Sequence, residues 1–255
     1  MRLIKDLNEI KELELNILKY IHRICEENNL VYYMAGGTLL GAVRHGGFIP
    51  WDDDIDLLMY REDYEKLVDI INNDNSYYRM ECLKSDNTYI GTFAKVIDTR
   101  TKVVFNNFMS DGETGVFVDI FPMDGVSNNY KGGAKYLDDL SKWYQRFVNC
   151  KVSMSENGLT RFILNKGAVI FEKIAKKRSC SSYRYIARVV NIRGKKELMK
   201  KGWFDRRKLM DFETEKFYAP IGYHYYLKGL YGDYMKLPPH TEQRLVHSYN
   251  AYWKK

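Results

Sequence analysis

The pattern that most constrains this chain is a pair of glycines followed closely by a cluster of acidic residues. Gly36 and Gly37 separate the apolar run LVYYMA (30–35) from a segment with helical spacing, TLLGAVRH. The acids Asp54 and Asp56 follow fewer than twenty residues later. Glycines between a strand and a helix let the backbone come close to a phosphate, and the first turn of the helix offers free N–H groups. A Gly-Gly turn alone is usually only a turn, but together with these acids it indicates a phosphate-binding site.

The acidic cluster has the spacing of a metal site. Residues 54–59 (DIDLLM) alternate as a strand does, which places Asp54 and Asp56 on one face of the strand. Hard cations such as Mg²⁺ prefer carboxylate oxygens and neutralise the charge that develops in phosphoryl transfer. Asp119 lies in the apolar run VFVDIF (116–121), where an unpaired buried carboxylate would be costly. We therefore predict that Asp54, Asp56 and Asp119 are catalytic residues that bind a metal ion.

The hydrophobic pattern of the whole chain predicts an α+β fold with a mixed front and a helical back. Thr38 is predicted to cap a short helix over 38–45. Further helices are expected at 6–28, 61–73, 130–150, 159–178, 182–192 and 206–218. Strands are expected at 30–35, 54–59, 78–83, 90–97, 102–106 and 116–121. This pattern predicts a core over 1–125 and a mainly helical region over 126–255, with the tail packing back on the core.

The net charge of +7 is unevenly distributed along the 255 residues. Residues 1–125 carry 13 Lys and Arg against 22 Asp and Glu, whereas residues 126–201 carry 18 against 5. The acidic part should attract cations, and the basic stretch is either a solvated surface or a binding surface for an anionic partner. The segment 160–178 interleaves apolar and basic residues. It is expected to be either an amphipathic helix on an anionic membrane or an internal helix with a basic outer face.

Several functional classes are excluded by missing motifs. The chain has no G-x-x-x-x-G-K-[ST] phosphate loop, no H-E-x-x-H and no G-x-S-x-G. A calcium loop beginning at Asp52 would need glycine where Leu57 stands and glutamate where Asp63 stands. Basic residues interleaved with aromatic ones can bind nucleic acid, but no nucleic-acid motif accompanies them, so we expect no nucleic-acid partner.

The four cysteines indicate a reducing compartment. Cys25, Cys82, Cys150 and Cys180 lie far apart and form neither a disulfide framework nor a metal-site spacing. The first residues, MRLIKDLNEIKE, are charged throughout and lack the apolar segment of a signal peptide. No apolar run approaches the ~20 residues that span a bilayer. We therefore expect a cytoplasmic protein.

The Gly-Gly turn and the acidic cluster belong to a longer segment with a specific resemblance. Residues 36–57, GGTLLGAVRHGGFIPWDDDIDL, closely resemble the signature of the LicD family of phosphotransferases. Bacterial phosphocholine transferases belong to this family, which is related to the fukutin-related proteins and lies within the nucleotidyltransferase superfamily. The segments 117–124 (FVDIFPMD) and 230–239 (LYGDYMKLPP) also look like the family, whereas the middle of the chain, about 130–200, matches no family that we can name.

The resemblance implies a nucleotidyltransferase-type mixed sheet with flanking helices and a metal-dependent transfer reaction. In the family pattern Asp54 and Asp56 are metal ligands for Mg²⁺ or Mn²⁺. Asp119 is the third carboxylate, with a second role as the base toward the acceptor hydroxyl. The donor would be a CDP-alcohol, with phosphocholine as the favoured group, and CMP would be released. The acceptor would be a hydroxyl of a glycan, polyol phosphate or teichoic-acid precursor for the cell surface, reached at the inner face of the membrane.

Further residues are predicted to bind the substrate. Gly36, Gly37 and Thr38 would contact a phosphate through the backbone and the threonine hydroxyl. Two other groups, namely the pair Arg44 and His45 after the turn and Lys95 within a strand, could also reach a phosphate. A surface position for Arg44 and His45 and a solvent-facing Lys95 are the alternatives. His240 and His247 near the C-terminus are predicted to be structural.

Two other functions stay open at this point. One is a glycosyltransferase that uses the D-x-D pair to hold a nucleotide-sugar, although the Gly-Gly turn is typical of nucleotidyl transfer. The other is a non-catalytic protein that binds glycans or membranes, although the glycines and all three acids are intact.

Overall fold

The computed structural model describes residues 1–106, 114–153, 157–244 and 249–254. Helices and strands alternate along this part of the chain. The helices are α1 (Leu7–Glu27), α2 (Gly36–Arg44), α3 (Arg61–Asn73), α4 (Tyr130–Ser153), α5 (Gly158–Ala175) and α6 (Tyr223–Tyr231). The strands are β1 (Arg2–Ile4), β2 (Tyr32–Met34), β3 (Asp56–Tyr60), β4 (Tyr78–Glu81), β5 (Ala94–Asp98), β6 (Thr101–Phe105), β7 (Phe117–Ser127), β8 (Tyr185–Ala187), β9 (Met199–Lys200), β10 (Arg207–Phe212), β11 (Glu215–Pro220) and β12 (Tyr249–Trp253).

A mixed seven-stranded sheet forms the centre of the protein. Five of its strands run in the order β2-β3-β7-β5-β4, and β8 and β9 extend it from β7. Strand β3 is parallel to β7, whereas β2, β5 and β4 are antiparallel to their neighbours. Two smaller sheets, β1-β12-β6 and β10-β11, complete the described strands. The predicted mixed sheet with flanking helices is therefore confirmed.

Helix α1 closes one side of this core. Its first turn begins where the Asp6 side chain accepts a hydrogen bond from the Asn8 N–H, which satisfies one of the free backbone donors. Apolar residues three and four positions apart then form one buried face, which includes Ile17, Leu18 and Ile21. Apolar periodicity and a cap are both local signals, so the sequence placed this helix to within one residue at each end.

A second hydrophobic cluster lies in residues 126–198. Helices α4 and α5 pack against each other and against the segment that follows them, with Tyr144 and Phe171 in edge-to-face contact at 5.2 Å. Apolar side chains beyond it, from Met199 to Ala251, belong instead to the main core with residues 4–123. Strand β7 runs across residue 125, and the predicted division into 1–125 and 126–255 stays a prediction. None of the helices in the described ranges is long and apolar enough to cross a bilayer.

The second half of the chain is less helical than predicted. The helices expected at 130–150 and 159–178 are confirmed as α4 and α5, but those expected at 182–192 and 206–218 are wrong. The first of these segments forms β8, which pairs with the end of β7, and the second forms the β10-β11 hairpin. Strand pairing outweighs local helical periodicity in both places, with a distant strand for β8 and with the next strand along the chain for β10.

Helix α1 also buries a carboxyl group beside the acidic cluster. Glu14 is 1% exposed, and its Oε2 has no hydrogen-bond partner among the described residues. Burial raises the pKa of Glu14 well above its ordinary value of 4.5, and the carboxylates of Asp53 and Asp52 raise the pKa further. The folded protein therefore keeps this carboxyl protonated at a pH where the unfolded chain releases the proton.

This difference in protonation predicts a pH-dependent effect of Glu14→Gln. Above pH 4.5 ionisation of Glu14 stabilises the unfolded state of the wild type. The free energy of unfolding therefore falls as the pH rises. The glutamine variant lacks this loss. We expect its stability relative to wild type to increase above about pH 5 by up to about 1.4 kcal/mol per pH unit, until the pH reaches the raised pKa of Glu14 in the folded state. Urea unfolding at a series of pH values measures the difference.

The exposed Glu12 on the same helix provides the matched control. Glu12→Gln should change the unfolding free energy by an amount that does not vary with pH. A constant difference for Glu14→Gln as well would show that Glu14 is ionised in the folded protein.

Candidate functional site

Two predicted site residues face each other across the parallel pair of strands. Register places Asp56 of β3 opposite Asp119 of β7, and Lys95 of β5 opposite Asp119 on the other side. Residues paired in this way point to the same face of a sheet. The three side chains therefore form a row across neighbouring strands, with the two carboxylates adjacent to each other.

Asp119 is paired with Lys95. The Lys95 Nζ lies 2.7 Å from Asp119 Oδ1, and the two residues are 6% and 8% exposed. The same ammonium lies 3.7 Å from the ring centroid of Phe117. A buried charge is tolerated when it is paired and hydrogen-bonded, so the lysine accounts for the burial of Asp119 without a metal.

The Gly-Gly turn lies against the acidic cluster. Gly36 has a φ of +50°, and a Cβ on it would lie 2.6 Å from Asp56 Oδ2. A Cβ on Gly37 would lie 2.4 Å from Asp52 Oδ2. Both distances are shorter than real side chains allow, so any other residue would displace the carboxylates. The glycines are thus required by the close approach of Asp52 and Asp56 to the first turn of α2.

Thr38 connects this turn to β3 by a hydrogen bond and does not have the role predicted for it. The residue before α2 is Ala35, and no side chain caps the helix. The Thr38 hydroxyl instead accepts a hydrogen bond of 2.8 Å from the Asp56 N–H, and the Asp56 carbonyl accepts one of 3.0 Å from the Ala35 N–H. The prediction of Thr38 as a helix cap was therefore wrong. The hydroxyl fixes the backbone of Asp56 relative to the Gly-Gly turn.

Asp54 precedes the strand that carries Asp56. Strand β3 begins at Asp56, whereas the expected strand began at Asp54. Burial and then the neighbouring carboxylates Asp56 and Asp52 raise the pKa of Asp54 well above its ordinary value. Burial and the carboxylate of Asp119 likewise raise the pKa of Asp56 to about 7. Negative charge is therefore crowded at this site, which favours the binding of a proton or a cation.

The carboxylates suit Mg²⁺ or Mn²⁺ in their chemistry. Within the described ranges, no three His, Cys, Asp or Glu side chains are assembled so that they could hold a metal ion by themselves. Mg²⁺ usually needs only one or two protein carboxylates, since waters and substrate phosphates complete its shell. Asp54 and Asp56 can supply such a pair, and the close approach of Gly36 to Asp56 leaves backbone rather than side chain beside it.

Arg44 contacts the C-terminal part of the chain. Its Nη1 donates hydrogen bonds to the carbonyls of Tyr234 (3.1 Å) and Lys236 (3.4 Å). His45 is exposed and lies edge-on to Trp51 at 6.1 Å. The guanidinium of Arg44 thus fixes the segment after α6, and its predicted contact with a phosphate stays a prediction, as does that of His45.

The structure describes one of the two histidines near the C-terminus. His240 is exposed in the short helical turn His240–Glu242, and His247 lies outside the described residues.

Four residues beside Asp56 were not predicted from the sequence. A cavity of about 30 Å³ adjoins Asp56 and Gly36. Its other polar lining comes from the second half of the chain and consists of Arg188, Arg193, Glu197 and Tyr226. The excess of basic residues over 126–201 was a sequence signal for Arg188 and Arg193, but not for the acidic Glu197 or for Tyr226.

Arg188 is the most distinctive of these residues. Its guanidinium lies 3.6 Å from the ring centroid of Phe121, which is two residues after Asp119 on β7. Its Nε is buried and has no hydrogen-bond partner among the described residues. Arg188 and Arg193 both lower the pKa of Asp56, against the stronger effects of burial and Asp119. Two positive side chains therefore lie near the Asp56 carboxylate.

A much larger cleft than the cavity beside Asp56 lies elsewhere. It has a volume of about 770 Å³ and is lined by Tyr60, Arg61 and Asp124 among others. These residues stand at the ends of β3 and β7 opposite to Asp56 and Asp119. Tyr60 lies four positions after Asp56 on β3, and this length of strand spans ~13 Å. Cavity size therefore does not point to the predicted site, whereas the crowding of carboxylates coincides with it.

The chain matches known proteins over most of its length. Residues 29–150 match the nucleotidyltransferase domain of the LicD/FKTN/FKRP family. The lipopolysaccharide cholinephosphotransferase LicD of Haemophilus influenzae is 36% identical to the chain, over 96% of the chain and 97% of that protein. The human ribitol 5-phosphate transferase FKRP is 49% identical over 45 residues, which is 18% of the chain and 9% of the human protein.

The relationship to the Haemophilus influenzae protein extends well beyond the glycine turn and the acids. It covers almost the entire length of both chains, including the segment with Arg188 and Arg193. The chain therefore belongs to the LicD family.

Proposed function

We propose that the protein transfers an alcohol phosphate from a CDP-alcohol to a hydroxyl group of a glycan or polyol-phosphate acceptor and releases CMP. The observation that supports it most directly is the approach of the Asp56 carboxylate to Gly36 at the first turn of α2. A phosphate at a helix N-terminus and a cation on Asp54 and Asp56 would be neighbours there. The sheet and the family relationship support a nucleotidyltransferase-type fold as part of this proposal.

Each residue of the site has a distinct task in the proposed reaction. A bound Mg²⁺ or Mn²⁺ would neutralise the charge of the diphosphate and orient it. Asp54 and Asp56 hold that cation, and Thr38 fixes Asp56 at the turn through its backbone. At the first turn of α2 the Gly36 N–H donates to the Tyr226 hydroxyl at 3.2 Å, so the N–H groups of Gly37 and Thr38 are the ones assigned to the transferred phosphate. These groups position the donor, which is the main requirement of phosphoryl transfer.

Asp119 serves as the third carboxylate and receives the proton of the acceptor hydroxyl. The acceptor oxygen forms a bond to the phosphorus that carries the alcohol. The bond from this phosphorus to the oxygen shared with the CMP part breaks, and CMP leaves. Lys95 holds one oxygen of Asp119 at 2.7 Å and so keeps the other oxygen directed and available.

Arg188 and Arg193 extend the donor site. Their charges adjoin Asp56. The buried Nε of Arg188 donates no hydrogen bond to any of the described residues. Guanidinium groups bind phosphate oxygens in two-point contacts. We assign both arginines to the diphosphate of the donor.

Phosphocholine is the favoured group. The relative from Haemophilus influenzae, which aligns over nearly the whole chain, is a cholinephosphotransferase, whereas the ribitol 5-phosphate transferase aligns over 45 residues only. The decisive comparison is therefore between donors that differ in the alcohol.

The first experiment measures CMP release from CDP-choline, CDP-ribitol and CDP-glycerol, each with a bacterial glycan or teichoic-acid preparation and with or without Mg²⁺. We expect metal-dependent release from CDP-choline. Asp54→Asn and Asp56→Asn should each lower the rate by about 100-fold or more, because they remove carboxylates needed for the cation. Asp211→Asn, which changes an exposed acid of β10, should have no effect.

UDP-glucose serves as the contrasting donor in the same assay. Turnover of UDP-glucose alone would identify a glycosyltransferase. Metal-independent release, or release that survives both asparagine variants, would contradict the assigned roles of the acids. Calorimetry without detectable Mg²⁺ binding, together with no turnover of any donor, would identify a non-catalytic binding protein.

The Lys95–Asp119 pair predicts a coupled effect on stability. Lys95→Met leaves the carboxylate buried without its partner and should lower the unfolding free energy by about 3 kcal/mol. Combining it with Asp119→Asn should cost less than the sum of the two single changes, with a coupling of about 1–3 kcal/mol. Urea unfolding of the wild type, both single variants and the double variant measures this coupling. Additive costs would show that the two charges do not depend on each other.

The assignment of the arginines predicts an effect on donor binding. Arg188→Gln and Arg193→Gln should each raise the KM for the CDP-alcohol by about tenfold, because each removes a charged hydrogen bond to the diphosphate. Arg184→Gln, at an exposed position of the same basic segment, is the matched control. Unchanged donor KM in both variants would restrict these arginines to neutralising Asp56 and Glu197.

A further inference from the structure

The inner face of helix α5 packs against the rest of the protein. Phe171 packs against Tyr144 and Phe147 of α4 at 5.2 and 5.4 Å. The Asn165 side chain donates a hydrogen bond of 2.7 Å to the Tyr89 carbonyl, and Leu164 is buried next to it. These contacts attach α5 to the rest of the protein. Apolar residues on its other side are therefore not needed for the core.

The outer face of α5 nevertheless carries large apolar side chains. Leu159, Phe162, Ile163 and Ile170 are 71%, 58%, 51% and 58% exposed. Phe162 and Ile163 lie three and four residues after Leu159, Lys166 lies three residues after Ile163, and Ile170 lies four residues after Lys166. All of them therefore share one side of the helix. A contiguous set of exposed apolar residues on a single helix face is typical of an interaction surface.

Lysines are interleaved with these apolar residues. Lys166 and Lys173 are exposed on the same side, and the Lys166 Nζ lies 5.0 Å from the ring centroid of Phe162. The only acid of α5, Glu172, turns inward and pairs with Arg61 and Lys176. The outer face is thus apolar and positive, without negative charge from its own helix.

The neighbouring helix and the surrounding segment reinforce this charge. On α4, Trp143 is 63% exposed, and the Arg146 guanidinium lies 5.0 Å from its ring centroid. Residues 126–201 contain 18 Lys and Arg against 5 Asp and Glu. The partner that complements such a surface is anionic and accepts apolar side chains.

We propose that the outer face of α5 docks the protein on an anionic lipid bilayer, with the helix lying flat in the headgroup region. A bilayer accommodates apolar side chains along a convex helix face without the shape complementarity that a protein partner needs. Lysines beside them place their charges among anionic headgroups while their carbon chains cover apolar surface. The docking does not depend on the proposed transfer reaction.

The test is sedimentation of the full chain with two kinds of vesicle. One kind contains phosphatidylcholine alone, and the other contains phosphatidylcholine with about 30% phosphatidylglycerol. We expect binding to the anionic vesicles at low salt and a marked loss of binding at about 0.5 M NaCl, because salt screens the lysines. The double variant Phe162→Glu/Ile170→Glu should bind about tenfold more weakly or worse, because it replaces apolar contacts by charges that the headgroups repel.

Leu209→Glu is the matched control, because Leu209 is 49% exposed on the separate β10-β11 hairpin. It should bind as the wild type does, and circular dichroism and thermal unfolding should show that all variants are folded. Failure of the wild type to bind anionic vesicles would overturn the proposal and leave a protein as the partner of this face. Equal binding by the double variant, or equal binding to phosphatidylcholine alone, would also overturn it. No outcome depends on CMP release, so the result is independent of the proposed activity.

Discussion

The parallel pairing of β3 with β7 is the contact on which the site depends. It places Asp56 opposite Asp119, and the antiparallel β5 then brings Lys95 to the other side of Asp119. A shift of one residue in either pairing would turn a carboxylate to the opposite face of the sheet. The far end of β7 also pairs with β8, and Arg188 directly follows this strand. One long strand thus organises both halves of the site.

The site holds more negative charge than the fold compensates. Lys95 pairs with Asp119, whereas burial and the neighbouring carboxylates raise the pKa values of Asp54 and Asp56. Such crowding makes the fold itself less stable than a neutral site would. Any cation that binds there relieves the repulsion and stabilises the folded state by mass action. The same charges that weaken the free protein therefore favour a loaded site.

Opposite charges are separated between two parts of the structure. The main core carries the acids, while residues 126–198 form a second apolar cluster around α4 and α5 and supply most of the excess lysine and arginine. This basic region serves two purposes in our interpretation. Arg188 and Arg193 direct positive charge toward Asp56, whereas the outer face of α5 directs it toward solvent. Because the two groups lie on different elements, they can be altered separately.

Sequence alone determined the features that depend on near neighbours: α1 and α3, the Gly-Gly turn, the acids at the start of β3 and the apolar strand around Asp119. The features that depend on residues distant in the sequence were decided only by the tertiary structure. The β10-β11 turn places Glu213 at a φ of +56° and is held by a hydrogen bond to the Gly46 carbonyl, so no local turn signal marks it. Thr38 bonds to Asp56 rather than capping its helix, and Arg188 reaches the site only because β8 pairs with β7. Periodicity and capping act within a few residues, whereas these contacts exist only after the sheet has formed.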